Sequence, residues 1–252
     1  MKNLKYIFFI TLVMFAIGSV HARDKGDLVL NIEPQYALFM FPSINVKMDL
    51  ENLDLKNIDK PYTAESVNFT DDINTSGIGI GVKVVFNYYI LDFLAVNLGI
   101  GFDSVSATFL GYSKVDGKNM YFNQDFSVAY YSIPIGVRGL FKSFVFGAGF
   151  TYNLPILPID SRIQLSYDGK TEYLYGNLGY LPYFGLNFDI GYKTSGKKRA
   201  KNEFSVALRY STSISRIIGY NDLEIKYDPF RFQGIYLVFQ PGIYLNNFNN
   251  GD

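Results

Sequence analysis

Cysteine and tryptophan are absent from the 252 residues, and histidine occurs once, at His21. Without thiols the chain has no disulfide scaffold and no thiolate metal site, and no cysteine to carry a lipoprotein anchor. Long apolar runs are missing as well, apart from a single N-terminal stretch, which excludes a helical membrane bundle. Charge of one sign is not in excess either, with 23 basic and 23 acidic residues, so nothing supports an electrostatic nucleic-acid partner. What the chain does have is 23 Phe, 21 Tyr and 23 Gly. An aromatic content of 17% at a mean hydropathy of only +0.07 excludes a disordered chain, which would be poor in such residues.

The N-terminal stretch has the layout of a secretory signal peptide. Lys2 and Lys5 form a basic start, residues 6–20 are apolar, and Val20-His21-Ala22 is a small-x-small cleavage signal. Fifteen apolar residues are short for a helical span, which needs roughly 20. Cleavage after Ala22 is expected, leaving residues 23–252 as one domain. Loss of Lys2 and Lys5 leaves 21 basic against 23 acidic side chains, a net charge near −2. The mature chain then has no imidazole.

From Asp27 onward, apolar and small or polar residues alternate with period 2, the mark of strands with two different faces. Eight segments follow this rhythm. The first sets Leu28, Leu30, Ile32, Tyr36 and Leu38 against Asn31, Glu33, Gln35 and Ala37. The others run over 77–88, 94–103, 131–138, 144–153, 178–192, 204–211 and 234–245. Across all eight the apolar face is nearly free of Lys, Arg, Asp and Glu, while the opposite face is rich in Gly, Ser, Ala and Asn. A soluble sandwich would solvate its second face with many charges. A charge-free outer face suits lipid, where Lys or Arg at the midplane would cost about 2–4 kcal/mol. Small residues suit the inside of a narrow barrel. Tyr36, Phe41, Tyr88, Tyr130, Tyr180, Tyr192 and Tyr210, near strand ends, are candidates for the aromatic girdles.

The connections alternate in length. Turns at 89–92 and 142–143 and a polar segment at 194–202 contrast with long loops at 42–76, 104–125, 155–175 and 215–228. This predicts an all-β fold: an eight-stranded antiparallel up-and-down transmembrane β-barrel with short turns at the periplasmic end, together with both termini, and four long extracellular loops. The loop at 43–75 carries three Lys against seven Asp and Glu. Within it Ile44, Val46, Met48 and Leu50 still alternate, so the first strand is expected to project beyond the membrane as a hairpin. Loop aromatics (Tyr62, Phe69, Tyr112, Tyr121, Phe122, Tyr167, Tyr220, Tyr227) either anchor a binding surface or pack loop on loop.

The pattern resembles the small outer-membrane β-barrel proteins of Gram-negative bacteria, the OmpA/OmpX-like and PorT-like group. The most local match is Tyr131-Ser132-Ile133-Pro134-Ile135-Gly136-Val137-Arg138, similar to an aromatic-x-Ile-Pro-aliphatic strand of that group. The end of the chain departs from it: Gln240-x-Gly242-x-x-Leu245 starts like a terminal insertion signal, but Asn246–Asp252 follow. The resemblance implies residence in the outer membrane. It also implies that enzymes among such barrels use a histidine beside a serine or carboxylate, which the mature chain cannot supply.

No cofactor is expected, and catalysis has little to rest on. Asp71-Asp72, an adjacent acidic pair, lies in a polar loop and reads as solvated surface. Gly77-x-Gly79-x-Gly81 lies within a strand rather than before a helix, so it fails the test for a phosphate loop and reads as relief of crowding inside the barrel. The candidate site is a lumenal charge network of Glu33, Lys83, Asp103, Arg138, Asp189 and Arg209, all predicted to face one interior, where buried charges must pair. An eight-stranded barrel is just wide enough for side chains to fill. The expectation is therefore a monomeric, non-enzymatic protein whose partners are membrane lipid and a surface ligand at the loops. The alternative is a narrow channel for ions or small solutes.

Overall fold

The computed structural model describes residues 25–40, 45–51, 55–58, 66–70, 76–156, 159–193, 202–215, 218–221, 225–227 and 233–245. The leader, Phe41, Tyr62, Asp71-Asp72 and the tail after Leu245 lie outside these residues. Fourteen strands are described: β1 (Leu28–Met40), β2 (Asn45–Asp49), β3 (Ser66–Thr70), β4 (Ser76–Leu91), β5 (Leu94–Val115), β6 (Lys118–Phe141) and β7 (Phe144–Pro155), followed by β8 (Ile159–Tyr167), β9 (Lys170–Tyr180), β10 (Tyr183–Lys193), β11 (Asn202–Ser213), β12 (Ile218–Asn221), β13 (Ile225–Tyr227) and β14 (Gln233–Tyr244).

Eight of them, β1, β4, β5, β6, β7, β10, β11 and β14, form a closed antiparallel barrel in sequence order. The closure is a long ladder between first and last strands, from Val29 opposite Tyr244 to Met40 opposite Gln233. Alternation decides which side faces in. On β1, Val29, Asn31, Glu33, Gln35, Ala37 and Phe39 are buried, whereas Tyr36 and Leu38 are 60% and 65% exposed. A one-residue slip would exchange the two sets, so the buried face fixes the register.

The outward positions of the barrel form an exposed apolar belt that includes Ile80, Phe86, Leu98, Ile100, Ile135, Phe150, Phe188, Ile190, Leu208 and Leu237. A water-soluble monomer rarely exposes a contiguous apolar area of more than a few hundred Å². Among the girdle candidates Tyr36, Tyr88, Tyr192 and Tyr210 do point outward. Tyr130 and Tyr180 do not: both are buried, Tyr130 with its ring edge-on to Tyr183 at 5.2 Å. Tyr180 does end β9, but Tyr130 lies in the middle of β6, and in both the parity turns the ring inward.

The segments at 104–125 and 155–175 correct the loop assignment. Strands β5 and β6 run on without interruption to a turn at Asp116-Gly117, paired from Leu94 opposite Gly139 to Val115 opposite Lys118. Residues 159–180 form a second hairpin, β8–β9, turning at Asp168-Gly169 and paired to β6. The sixth barrel strand accordingly starts at Tyr183, and Leu178 and Tyr180 belong to β9. In both turns the Asp and Gly take positive φ (49° and 75°; 51° and 75°), the backbone of the tightest hairpins and one that suits glycine.

The six short strands extend the barrel wall beyond the belt, in the order β13, β2, β3, β5, β6, β8, β9, β12. The predicted hairpin of the first long loop is present as β2 paired to β3. Val46, Met48, Val67, Phe69, Phe109, Met120, Phe122, Ile163 and Leu165 fill this upper part as one apolar core. The aromatics Phe69, Phe109 and Phe122 interlock there, with centroids 5.2 and 5.7 Å apart. Of the loop aromatics, Phe69, Phe122 and Tyr167 thus pack inside, while Tyr121 is exposed.

Candidate functional site in the barrel lumen

The interior of the barrel is layered, and each strand shows the layers in turn. Reading β1 from its start gives apolar Val29, polar Asn31, Glu33 and Gln35, then apolar Ala37 and Phe39; β6 read backwards gives Leu140, then Arg138 through Ser132, then Tyr130 and Val128. At the turn end Val29, Tyr89, Ala95, Leu140 and Val145 cluster, with Tyr244 packed against them. At the other end the lumen passes into the upper apolar core. A charged layer lies between two apolar plugs.

All six candidate residues are in that layer. Glu33, Lys83, Asp103, Arg138 and Arg209 are buried, and the Asp189 side chain is 15% exposed. Arg209 is the hub. Its Nε and Nη2 donate to the two Asp189 oxygens at 2.8 and 2.9 Å, its Nη2 also to Glu33 Oε2 at 3.0 Å, and its Nη1 to Gln35 Oε1 at 3.2 Å. Asp189 and Arg209 face each other directly across the β10–β11 ladder. A second group centres on Asp103, which pairs with Lys83 Nζ at 3.3 Å and accepts hydrogen bonds from Gln35 and Ser132. Gln35 joins the two groups.

Neutral side chains that the sequence did not single out complete the network. Gln240 donates to Glu33 Oε1 at 2.9 Å and accepts from Ser205 at 2.9 Å, while Ser205 accepts from Arg138 Nη2 at 2.8 Å. Ser132 reaches Asn153 at 2.8 Å, and Asn187 donates to Thr151. Their signal was their parity: each shares the inward register of a candidate charge on its own or a neighbouring strand. Glycine makes the room. A Cβ on Gly81 would collide with the Asp103 carboxylate, and one on Gly79 would stand 2.5 Å from the Phe39 ring.

The chemistry of this layer is that of buried charge held mainly in ion pairs, with Arg138 held by Ser205 rather than by a carboxylate. The charges are three cations and three anions, and both Arg209 partners are held bidentately or through two different donors. Such pairs gain from geometry what they lose by leaving water. Among the described residues no group of three or more His, Asp and Glu could hold a metal ion.

Outside the membrane two acid contacts tie the upper part together. Glu172 Oε2 accepts from the backbone N–H groups of Lys56 and Asn57 at 3.0 and 2.6 Å, fastening residues 55–58 to β9. The Asn57 N–H, assisted by that of Lys56, holds the Glu172 carboxyl below the usual carboxylate range. Lys118 Nζ meets Asp168 Oδ2 at 2.6 Å and joins the two hairpin tips, and this bond holds the Lys118 ammonium above its usual value.

The closed ladder and its exposed apolar belt define a transmembrane β-barrel of the outer-membrane type, in contact with lipid around the belt. No family model matches the sequence, nor does any curated protein. Among solved structures the chain is similar to Neisserial surface protein A, at 11% identity over 85% of this chain and 96% of that one, with a TM-score of 0.34. It is also similar to Ail, the attachment invasion locus protein of Yersinia pestis (12% identity, 87% and 100% covered, TM-score 0.33), and to the outer membrane protein AlkL (10%, 88% and 92%, 0.42). Scores of this size add nothing to the strand ladder, on which the fold assignment rests.

Proposed function

We propose that this protein is a non-enzymatic outer-membrane barrel that presents a rigid β-sheet head to the outside, in a structural and surface-interaction role. The observation that supports this most is the packed upper core. The wall continues past the belt through β5 and β6, and Val46, Met48, Phe69, Phe109 and Phe122 fill it. A head with its own core holds its outer face in one shape, which lowers the ordering cost of binding a partner. The charged layer supports the same reading, since the Arg209 and Asp103 groups, hydrogen-bonded across five strands between two apolar plugs, stiffen the lumen. The lack of a histidine after leader cleavage speaks against the base chemistry that barrels of this size would need.

Two measurements test the proposal. In planar bilayers the purified barrel is expected to give no stable conductance steps, and steps of uniform size would favour the narrow-channel reading. Replacing residues 106–127 by a two-residue Asn-Gly turn is expected to leave a folded barrel and abolish binding of the refolded protein to a glycan array or to immobilised matrix proteins. Equal binding by the full and shortened chains would overturn the surface role.

A further inference from the structure

Above the belt the outer side of the wall changes character. Phe122, Ile163, Leu165 and Leu174 point into the upper core. Their outward neighbours are Tyr121, Asn123 and Asp125 on β6, Arg162 and Gln164 on β8, and Tyr173 and Tyr175 on β9. The ladders set these side by side: Asn123 lies opposite Gln164 and Gln164 opposite Tyr173, while Asp125 lies opposite Arg162 and Arg162 opposite Tyr175. Tyr121, Tyr173 and Tyr175 are 53%, 42% and 68% exposed. The face is held in place. The Arg162 guanidinium lies over the Tyr173 ring at 4.2 Å, Tyr121 Oη accepts from Asn119 at 3.2 Å, and Asp125 accepts from Thr108 at 2.6 Å.

Tyrosine beside polar residues is the composition of an interfacial girdle, but the height does not suit one. Asp125 stands six residues beyond the exposed Tyr131 on β6, and Tyr175 nine residues before Phe184, the first exposed apolar side chain of β10. Six residues of a strand tilted by about 40° rise on the order of 15 Å. The polar zone of a phospholipid leaflet reaches only roughly 5–8 Å past the hydrocarbon. In the outer leaflet of a Gram-negative outer membrane, what surrounds the wall at this height is the saccharide of the glycolipids.

The chemistry agrees. A pyranose ring presents C–H groups, polarised positive, that rest on the negative face of an aromatic ring. Its hydroxyls both donate and accept, as the amides of Asn123 and Gln164 do. Asp125 and Arg162 oppose each other and cancel, so the face lacks the cluster of cations that phosphate recognition calls for. Among the described residues its exposed aliphatic neighbour is Leu110, opposite Asn123 on β5, too little for the apolar centre of a protein interface. We infer that this face binds neutral sugar rings of the surrounding outer-leaflet glycolipids, the tyrosines stacking on the rings and the two amides pairing with their hydroxyls. The inference rests on the head being the outward end of the barrel, and it needs no partner at the hairpin tips.

The test uses the full mature chain in nanodiscs of phospholipid alone, of phospholipid with deep-rough lipopolysaccharide, which carries only the acidic inner sugars, and of phospholipid with rough lipopolysaccharide that has its complete core hexoses. Tetranitromethane nitrates accessible tyrosines, and peptide mass spectrometry reads the rate at each. Nitration of Tyr121, Tyr173 and Tyr175 is expected to be slowed several-fold by the complete core and to be the same in the other two discs. In the double variant Asn123→Ala with Gln164→Ala, its folding checked by gel mobility before and after boiling, most of this protection is expected to be lost. Equal rates in all the discs overturn the inference and leave the face to a protein partner. Protection already complete with deep-rough lipopolysaccharide or with phospholipid alone overturns it in favour of an ordinary girdle. Protection that survives both substitutions is crowding alone and overturns it too. No soluble partner is present, so failure here is separable from failure of the binding assay for the head.

Discussion

A single guanidinium carries most of the pairing in the lumen. Arg209 satisfies Glu33 and Asp189 at once and touches Gln35, so removing it strands two buried carboxylates. Arg209→Met is expected to lower stability by about 3–5 kcal/mol, the usual cost of breaking a buried pair by deleting one partner. Urea unfolding of the refolded barrel measures it, and a loss under about 1 kcal/mol would show that water already reaches the site. The six charges were legible in the sequence because period 2 assigns each a face. The role of Arg209 as hub was not, since parity says which residues share an interior but not at what height they meet. The same limit applies to Glu172, whose two backbone donors lie more than a hundred positions earlier in the chain. Its carboxyl lies below the ordinary range, so the contact stabilises the fold above that range and is lost as pH falls through the lowered value. Amide protection at Lys56 and Asn57 is therefore expected to be full at neutral pH and to disappear in acid. In Glu172→Gln it should be reduced at neutral pH and no longer respond to acid. Protection in the wild type that ignores pH would show that Glu172 does not fasten this turn.

At the scale of elements, the barrel strands and the hairpin of the first long loop were legible, while the upper parts of β5 and β6 and the β8–β9 hairpin were not. Outward residues on β5 run Val96, Leu98, Ile100, Phe102 and then Ser104, Ser106, Thr108; on β6 the same change occurs from Tyr131 to Ser127 and Asp125. A period-2 reading that weighs apolar against polar takes this as the end of a strand. The backbone continues, because only the solvent outside the wall has changed while the inward residues Val105, Ala107, Phe109, Phe122 and Val128 stay buried. A local signal was available in Asp116-Gly117 and Asp168-Gly169, the dipeptides that favour two-residue hairpin turns. Gly117, at φ 75°, has open space around a would-be Cβ, so its substitution is resisted by backbone conformation alone. Gly117→Val is expected to cost roughly 1–2 kcal/mol of hairpin stability, as for a bulky residue forced into left-handed geometry, and Gly117→Asn much less. Proteolysis at the tip of the β5–β6 hairpin reads the difference, and equal cutting of the two variants would place the turn in another conformation.

Considered whole, the molecule consists of two stacked units that share a wall: a barrel with charge in its middle, and a head with an apolar interior. Its stability is dominated by long-range ladders, with the chain ends joined along β1 and β14. Such a closed sheet resists detergent until it is heated. Unheated protein is expected to run faster on a gel than boiled protein, and identical mobility would be incompatible with a closed barrel. The average hydropathy hid this architecture because it sums two faces of opposite character. Separated by parity, the same composition gives a belt of aromatic and branched side chains outside and glycine, amides and paired charges within.

The change of outer-face residues from Phe102 to Ser104 has one more consequence. It acts as a waterline, fixing how deeply the molecule rides in its bilayer, much as a hull has a draught. No anchor outside the wall is needed for this, since the mark is written into two adjacent strands. Displacing it by one outward position, for instance with Ser104→Phe and Ala129→Phe together, would sink the barrel by roughly 5 Å, the rise of two tilted strand residues. The head would then stand that much lower above the lipid, and its reach toward any partner would shorten by the same amount.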